Sequence, residues 1–353
     1  MEPTVGEAAA RNAISQLLVD TVRRTDPKYE AEIFGSQITG LVVPTSDVDI
    51  RVSFKDPLAN ASLVSSINRL KPIKWALRYS HDFTVPGVLS RARHPLIDVL
   101  HIKTDCPAQL VWAVADPSAS QRVTQEYLTK WPTLITLYRL VKTILDMRRL
   151  TDPWYGGFGS YPTLMMVIAS LELNSRPDDS VAKQLLAFLD FYGSFDTYTQ
   201  GISIDPPMLF PKSTIRPIPK NERSKIDPTS PPQQEAPAAD EQKKPTDPEQ
   251  IEKGQHDIAR SFPYQGYLLC LQDPADPYND LGKLGAAIKD LQVTFKRLHD
   301  ELQASLKETG SPPSPEPMLR KLIGRCDQLY DERRTKLELF GEGLSKTSDL
   351  DTP

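Results

Sequence analysis

Two short motifs near the N-terminus carry residues suited to phosphate and metal chemistry. Phe34-Gly35-Ser36 offers a glycine, whose backbone can approach phosphates closely, and a hydroxyl that can donate to them. After ten intervening residues, Asp47-Val48-Asp49 places two carboxylates two positions apart. On a strand, alternate side chains point to the same face, so the two carboxylates would lie together. Because Mg²⁺ is normally held by one or two carboxylates plus substrate phosphates, the motifs predict a metal-dependent nucleotide site.

Each motif alone can be explained by structure without any chemical function, since Gly-Ser is common in turns and Asp-Val-Asp can be a solvated strand edge. Their combination at this spacing favours the chemical interpretation. Three further passages carry a resemblance to a known family: Leu140–Leu150, Tyr155–Tyr161 and Leu271–Asp280. With these passages the chain resembles the noncanonical poly(A) polymerases and terminal uridylyltransferases, which are DNA polymerase β-like nucleotidyltransferases with a PAP-associated domain. Its motifs are most similar to those of the TRAMP-type nuclear poly(A) polymerases.

The resemblance implies a role for each matching residue. In chain order these are Gly35 and Ser36 for the triphosphate, Asp47 and Asp49 as catalytic metal ligands, Lys142 and Ser160 for phosphates, Tyr161 for stacking on the incoming base, and Asn279, Asp280 and Lys283 for recognising that base. The residue types suit these roles. A lysine is a mobile point charge, a helix start favours anions, and an aromatic ring offers a stacking surface.

The family pattern includes a third carboxylate on a later strand, and this sequence departs from it. Counting along the chain places Gln109 at that position. An amide can coordinate a metal through its oxygen, but it carries no charge and cannot act as a base. If Leu96–Ile102 and Gln109–Ala115 form a hairpin, Asp98 lies opposite or diagonal to Gln109 on the same face and is a candidate for the missing catalytic carboxylate. This hypothesis depends on the register, since a slip of one residue would send Asp98 to the other face. Asp105, in the expected turn, is a weaker candidate.

The spacing of apolar residues predicts an α+β fold, with a small mixed β-sheet followed by a mainly helical domain. Short apolar runs bounded by Pro, Gly or Asp are typical of strands. They are Ala31–Phe34, Val48–Phe54, Lys74–Arg78, Leu96–Ile102 and Gln109–Ala115. Helical spacing predicts helices over residues 6–24, 121–149, 161–173, 180–192, 284–306 and 318–340. The resemblance identifies the sheet as the nucleotidyltransferase palm and the helical part as the PAP-associated central domain.

These elements predict the domain boundaries. Residues 1–29 form an N-terminal helix that packs on the helical domain, residues 30–120 form the palm, and residues 121–205 and 257–345 form the helical domain. Residues 206–256 are rich in Pro, Lys, Glu, Asp and Gln. They bury too little apolar surface to offset the entropy of ordering, so we expect a disordered insertion. Residues 346–353 are expected to be a disordered tail.

Composition and the chain's first residues narrow the class of protein. No run approaches the roughly 20 apolar residues of a spanning helix, so no membrane segment is expected. No signal or transit peptide can be read at the N-terminus, which leaves the nucleus or the cytoplasm. Cys106, Cys270 and Cys326 are far apart and lack zinc-ligand spacing. Neither disulfides nor a structural zinc site is therefore predicted.

The charge balance bears on partners. A net charge of -4 lacks the basic field of a free-standing nucleic-acid-binding protein. Arg148-Arg149 and Arg333-Arg334 are short runs, and the sequence shows no extended basic cluster. Affinity for RNA would then depend on a local cleft or on a separate RNA-binding protein, which the resemblance also implies.

The resulting functional prediction is template-independent addition of nucleotides to RNA 3′ ends. The RNA 3′ hydroxyl would attack the α-phosphate of a nucleoside triphosphate with the help of Mg²⁺ or Mn²⁺, in the cleft between the two domains. The third passage is closer to the poly(A) branch than to the uridylyl branch, so ATP is the expected donor. Nucleotidylation of a small molecule is disfavoured by the central-domain passages. A catalytically weak or inactive scaffold is the alternative, and Gln109 is its main support.

Overall fold

The computed structural model describes residues 2–56, 66–90, 95–112, 118–212, 247–259, 265–308, 322–323 and 327–348. The chain divides into two compact units, Met1–Glu126 with Ile323–Pro353, and Tyr127–Leu322. The helices are α1 (Val5–Thr25), α2 (Ser36–Thr39), α3 (Ser66–Tyr79), α4 (Ser118–Lys130), α5 (Leu134–Asp146), α6 (Ser160–Asn174), α7 (Val181–Ser194), α8 (Pro248–Ile258), α9 (Ile288–Glu308) and α10 (Asp327–Ser348). The strands are β1 (Tyr29–Phe34), β2 (Val48–Phe54), β3 (Phe83–Leu89), β4 (Leu96–His101), β5 (Cys106–Trp112), β6 (Gln200–Ile204), β7 (Pro207–Pro211), β8 (Gln272–Asp273) and β9 (Asp276–Asp280).

The first unit is built on a five-stranded mixed sheet in the order β1-β2-β5-β4-β3. Each neighbouring pair is antiparallel except β2 and β5, which are parallel. Alternate residues of β2, Val48 and Ile50, point into a buried core shared with α1, α3 and α10. The opposite face of β2 carries the half-buried polar residues. The predicted α+β fold class is confirmed.

Helices from both ends of the chain belong to this sheet unit. The prediction placed α1 on the helical domain, but α1 packs on β1, β2 and α3 and against α10. Residues 327–345 were assigned to the helical domain, whereas Leu337 and Phe340 of α10 pack into the core of the sheet. Arg334 also pairs with the buried Glu7 of α1 at 3.1 Å. The two helices lie at opposite ends of the chain, so no local sequence pattern indicates their contact.

Residues 74–78 were predicted as a strand, and this prediction is wrong. They lie in α3, where Leu70, Ile73 and Leu77 are buried at the helical spacing of three and four residues. A window of five residues is too short to separate this period from strand alternation. The true neighbouring strand is β3, which pairs with β4. It was not predicted, because Pro86 interrupts its apolar pattern.

The second unit is mainly helical and carries two short hairpins. Its largest helix contact joins α7 to α9, where the rings of Phe188 and Phe295 meet edge to face at 5.2 Å. The predicted helix over residues 121–149 is two helices, α4 and α5. β6 pairs with β7, and β8 pairs with β9. A single bridge between Ile202 and Leu271 joins the two hairpins.

The prediction of a disordered insertion over residues 206–256 is contradicted at both ends of that range. Residues 207–211 form β7, and residues 248–258 form α8, which begins after an Asp247 side-chain cap. Residues 213–246 lie outside the described residues. At the C-terminus, α10 continues to Ser348, so residues 346–348 of the predicted disordered tail are helical. Residues 349–353 lie outside the described part of the chain.

Two further predictions concern membranes and cysteines. Within the described ranges, no helix is long and apolar enough to cross a membrane. Cys106 and Cys270 are buried and free. Burial raises the pKa of both thiols, so they stay protonated at neutral pH. Cys326 lies outside the described residues.

Candidate functional site

Three polar residues on neighbouring strands form one row across the sheet: Asp49, Gln109 and Asp98. Asp49 on β2 is the partner of Gln109 on the parallel strand β5, and Gln109 is the antiparallel partner of Asp98 on β4. Paired residues direct their side chains to the same face. The flanking Val48 and Ile50 are fully buried on the other face. The hairpin register on which the Asp98 hypothesis depends is therefore confirmed.

The glycine of the first motif packs directly on the second motif. Gly35 has a φ of +73°, and a Cβ at this position would lie 2.5 Å from the Asp49 carboxylate oxygen Oδ2. Both facts require glycine, because other residues rarely adopt this backbone conformation and would collide with the carboxylate. Ser36 then begins the single helical turn α2, where the N–H groups of Ile38 and Thr39 both donate to the Gly35 carbonyl at 3.2 Å. The backbone turn and the carboxylate thus form one site.

The loop before β2, residues 43–46, positions Asp47 and is held by α1. Arg11, only 2% exposed, donates from Nη1 to the Ser46 carbonyl at 2.8 Å and from Nη2 to the Pro44 carbonyl at 3.1 Å. The Ser46 hydroxyl accepts from the N–H of Val43 at 3.0 Å. Arg11 therefore satisfies loop carbonyls and places a positive charge below the carboxylate pair.

Helix α10 holds the same loop through Thr45. Arg333 donates to the Thr45 carbonyl at 3.4 Å, and the hydroxyls of Thr45 and Tyr330 lie 3.5 Å apart. Both ends of the chain thus contribute to the placement of Asp47.

The surroundings of Asp49 disfavour the ionised form of its carboxyl group when no cation is bound. Burial, reinforced by the neighbouring Asp47, raises the pKa of Asp49 to about 7, and Arg11 opposes this shift. A divalent cation would neutralise both carboxylates. Asp47 and Asp49 therefore fit Mg²⁺ or Mn²⁺, with triphosphate oxygens and water completing the ligand set.

Asp98 occupies the far end of the row, and its carboxylate is turned towards β3. Its Oδ2 lies 3.5 Å from the position of a Cβ on Gly87, the residue paired with it on β3. Two strand spacings, about 10 Å, separate the Cα atoms of Asp98 and Asp49. Among the described residues, no three His, Cys, Asp or Glu side chains come together to hold a metal ion. Asp98 could therefore serve as the replacement metal ligand only if its side chain turned towards Gln109.

Asp105 lies in the turn between β4 and β5 with a φ of 51°. Its carboxylate pairs with Lys336 of α10. Asp105 thus has a structural role in the turn, which agrees with its being the weaker candidate for the missing third carboxylate.

Three of the residues assigned to base recognition form a network around Asp273. Tyr161 donates from its hydroxyl to Asp273 Oδ1 at 2.9 Å, and Asn279 donates from Nδ2 to Asp273 Oδ2 at 2.9 Å. Lys283 donates to Asn279 Oδ1 at 3.3 Å. Burial, with Asp273 beside it, raises the pKa of Tyr161, so its hydroxyl remains a donor. Burial also raises the pKa of Asp273, against the opposing effect of these hydrogen bonds.

Asp280 and Lys142 have partners inside the protein. Asp280 is 6% exposed, and its Oδ1 accepts from the N–H groups of Leu271 at 3.0 Å and Gly282 at 2.8 Å. The Asp280 carboxylate therefore stabilises the backbone around the β8–β9 hairpin, and its contact with a base stays a prediction. Lys142 is 7% exposed and pairs with Asp146 at 3.1 Å. A phosphate contact by Lys142 would have to compete with this ion pair.

Ser160 is exposed at the first position of α6. The N-cap residue, Gly159, makes no side-chain cap. The predicted phosphate role is compatible with this position, because the first N–H groups of a helix favour anions.

Sequence reasoning missed two residues that organise these sites. Arg11 was treated as part of an amphipathic helix, although it lies beside Ala10 on the buried face; an arginine on that face is the signal that could have identified it. Asp273 lies in the passage Leu271–Asp280, but no role of its own was predicted for it. Its hydrogen-bond partner Tyr161 lies 112 residues away in the chain, so no local pattern marks it.

Two family models match parts of the chain. Residues 1–111 match the central palm domain of mitochondrial-like poly(A) RNA polymerases. Residues 180–227 match the Cid1 family poly A polymerase domain, the PAP-associated domain. The first match contains the whole Asp49–Gln109–Asp98 row. The resemblance that the motifs indicated is confirmed.

Several curated relatives share this similarity. Poly(A) RNA polymerase protein 2 of Saccharomyces cerevisiae is 23% identical, over 98% of this chain and 53% of its own length. Poly(A) RNA polymerase cid14 of Schizosaccharomyces pombe is 24% identical, over 88% of this chain and 40% of its own length. A Drosophila melanogaster relative named an inactive noncanonical poly(A) RNA polymerase is 27% identical, over 57% of this chain and 50% of its length. The chain spans about half, or less, of the length of these relatives.

Solved structures show the same fold. The polymerase core of TRAMP, an RNA surveillance complex, superposes with a TM-score of 0.67 at 21% identity, covering 91% of this chain and 88% of that one. The Cid1 poly(U) polymerase superposes with a TM-score of 0.62 at 17% identity, covering 91% and 94%. The chain therefore has the nucleotidyltransferase fold of these enzymes.

Proposed function

Because the chain carries the palm domain and the PAP-associated domain of the noncanonical poly(A) polymerase family, we propose that it adds nucleotides to RNA 3′ ends without a template. The RNA 3′ hydroxyl attacks the α-phosphate of a nucleoside triphosphate, a new phosphodiester forms, and pyrophosphate leaves. ATP is the proposed donor. The motif likeness to the poly(A) branch and the names of the curated relatives support this choice.

The observation that carries the proposal is the contact between Gly35 and the Asp49 carboxylate. A residue with a side chain at position 35 would place its Cβ 2.5 Å from Asp49 Oδ2. A glycine turn of the kind that lets a backbone approach phosphates closely therefore lies against a carboxylate suited to a metal. Nucleotidyl transfer requires this combination, since the metal must contact the phosphates that the turn holds.

The chain's own residues divide the work. Gly35 and Ser36 hold the triphosphate, Asp47 and Asp49 hold Mg²⁺ or Mn²⁺, and Tyr161 offers a ring to the base. A bound divalent cation would stabilise the charge that develops on the phosphate oxygens. Arg11 acts indirectly by fixing the loop that carries Asp47.

A second candidate function is an inactive nucleotidyltransferase-fold scaffold. Gln109 favours it, because this neutral amide occupies the position directly beside Asp49 on the neighbouring strand. A third acidic ligand is not needed for nucleotide binding, which two carboxylates and a phosphate turn can support. A scaffold would bind a nucleoside triphosphate with Mg²⁺ yet extend no RNA.

Primer extension distinguishes the two functions. The protein is incubated with a short RNA, Mg²⁺ or Mn²⁺, and each nucleoside triphosphate in turn, and the products are resolved by length. We expect extension, strongest with ATP, and its loss in Asp47→Ala by more than the roughly 100-fold that changes around metal ligands cost. Asp190→Ala, an exposed aspartate of α7, is the matched control and should leave extension unchanged. Absence of extension with every nucleotide, despite measurable nucleotide binding, would establish the scaffold.

Partner and compartment are further proposals. The acidic net charge and the likeness to the polymerase core of an RNA surveillance complex support a separate RNA-binding subunit. We place the protein in the nucleus or the cytoplasm. Co-purification of the tagged protein from nuclear and cytoplasmic extracts tests both proposals, and recovery without any RNA-binding protein would contradict the first.

A further inference from the structure

One face of helix α3 carries basic and aromatic residues. The incorrect prediction of a strand over residues 74–78 did not indicate this face. Lys71, Lys74, Trp75, Arg78 and Tyr79 fall within an arc of about 140° when placed at 3.6 residues per turn. On a strand, Trp75 and Tyr79 would have pointed away from Lys74 and Arg78. The helix instead brings all five to one side, over a length of about 12 Å. We call these five residues the α3 face.

The two aromatic rings of the α3 face stack on each other and are exposed to solvent. The rings of Trp75 and Tyr79 have centroids 6.0 Å apart and planes inclined by 23°. Trp75 is 50% exposed and Tyr79 is 78% exposed. The Arg78 guanidinium lies 5.8 Å from the Trp75 ring centroid. A large aromatic surface is therefore held in a fixed orientation beside a cation.

The positive charge of the α3 face is not offset within its own helix. Helix α3 contains four basic residues and no acidic residue, in a chain with a net charge of -4. Arg69 is turned inward, over the Phe54 ring at 4.8 Å. The other three cations are those of the α3 face. Among the described residues, no ion pair involves Lys71, Lys74 or Arg78.

The α3 face points away from the carboxylate row. The inner side of α3, formed by Leu70, Ile73 and Leu77, packs into the same core as Ile50. Asp49, next to Ile50 on β2, lies on the opposite side of the sheet. A ligand on the α3 face is therefore separated from Asp49 by the thickness of the sheet, and it cannot be the reacting end of a substrate.

We infer that the α3 face binds single-stranded RNA upstream of the 3′ end, which rests on the proposed function. Cations spaced along a groove or ridge neutralise phosphates, and exposed rings stack on unpaired bases. An acidic protein segment would use the cations but would leave the stacked rings without a matching partner. The α3 face thus supplies a local source of RNA affinity in an acidic protein.

Direct binding tests the inference without any nucleotide or turnover. The probe is a 5′-labelled, unstructured oligouridine RNA, followed by fluorescence anisotropy with the full chain. Three phosphate contacts give a slope of about -2 for log K against log salt, or about a twentyfold loss of affinity between about 50 and 200 mM salt. Lys71→Glu/Arg78→Glu should reduce this slope to about -0.7. Trp75→Ala should weaken binding about fivefold or more, whereas Trp75→Phe should retain most of it.

The matched control is Lys253→Glu/Lys307→Glu, which reverses two exposed lysines on α8 and α9. Both double variants change the net charge from -4 to -8, since each substitution changes it by -2. We expect the control to retain the slope and the affinity of the unchanged protein. Equal loss in both double variants, or unchanged binding in the α3 variant, would overturn the inference.

Two further outcomes separate the alternatives. If Trp75→Ala binds RNA as tightly as the unchanged protein and polyglutamate displaces the RNA at equal charge concentration, the face binds an acidic protein instead. If the RNA affinity depends on the α3 face but the protein extends no primer, the inference stands and the proposed polymerase activity fails.

Discussion

The substitution Gln109→Asp tests whether the missing third carboxylate limits catalysis. Gln109 is paired with Asp49 across the parallel strands β2 and β5, so the new carboxylate would lie about 5 Å from that of Asp49. If its absence limits turnover, the variant should extend RNA about 100-fold faster or more, the usual contribution of a positioned base. The assay is single-nucleotide extension with saturating ATP and Mg²⁺.

The same substitution has a second, independent consequence for stability. At a pH well above 7, where Asp49 is ionised, two like charges about 5 Å apart repel by roughly 3 kcal/mol at an effective dielectric constant of 20. Without a metal, Gln109→Asp should therefore unfold on the order of 5–10 °C lower than the unchanged protein. Addition of Mg²⁺ should recover most of this loss, because the cation neutralises the carboxylates. Gln109→Glu is the matched control, since it adds the charge but places it one methylene further out.

Two results would refute this reasoning. A metal-independent loss of stability would show that the new carboxylate does not reach the Asp47–Asp49 pair. Recovery by Mg²⁺ without faster extension would show that position 109 binds metal but does not limit turnover. In that case Asp98→Asn identifies whether Asp98 already fulfils the role, because extension would then fall in the otherwise unchanged chain.

Three further substitutions test the framework of the site. Gly35→Ala should abolish extension and destabilise the palm by about 1–2 kcal/mol, since alanine at φ +73° is strained and its Cβ displaces the Asp49 carboxylate; intact activity would refute that packing. Arg11→Met should lower the free energy of unfolding by about 3 kcal/mol in urea titrations, because buried loop carbonyls lose their charged donor, with partial rescue in Arg11→Lys. Asp280 has its pKa raised from 3.8 to about 6 by burial, so its charge costs the folded state free energy that builds up between pH 3.8 and about 6 and is constant above that. Asp280→Asn, which keeps the acceptor oxygen, should therefore be more stable by about 3 kcal/mol at pH 8 and equally stable near pH 4, and a pH-independent difference would contradict the shift.

The sequence by itself determined the class of the fold and indicated the two motifs for which we propose nucleotide binding. Glycine at position 35 and aspartates at 47 and 49 are residue types that suit phosphate and metal binding, and their types and spacing can be read without a structure. Long helices such as α1, α6 and α7 were also predictable, because more than three turns of apolar spacing distinguish a helix from a strand. The segment Lys74–Arg78 has only five residues, too few for this distinction, and the α3 face was therefore not predicted.

Only the tertiary structure decided what stands beside Asp49. The pairing of β2 with β5 puts Gln109 next to Asp49 and leaves Asp98 one strand further away, and strand order is a long-range property. The placement of α10 under the sheet and the burial of Asp273 are likewise set by contacts between distant segments. Local residue patterns encode chemistry and secondary structure, whereas neighbours across a sheet or a core depend on how the whole chain packs.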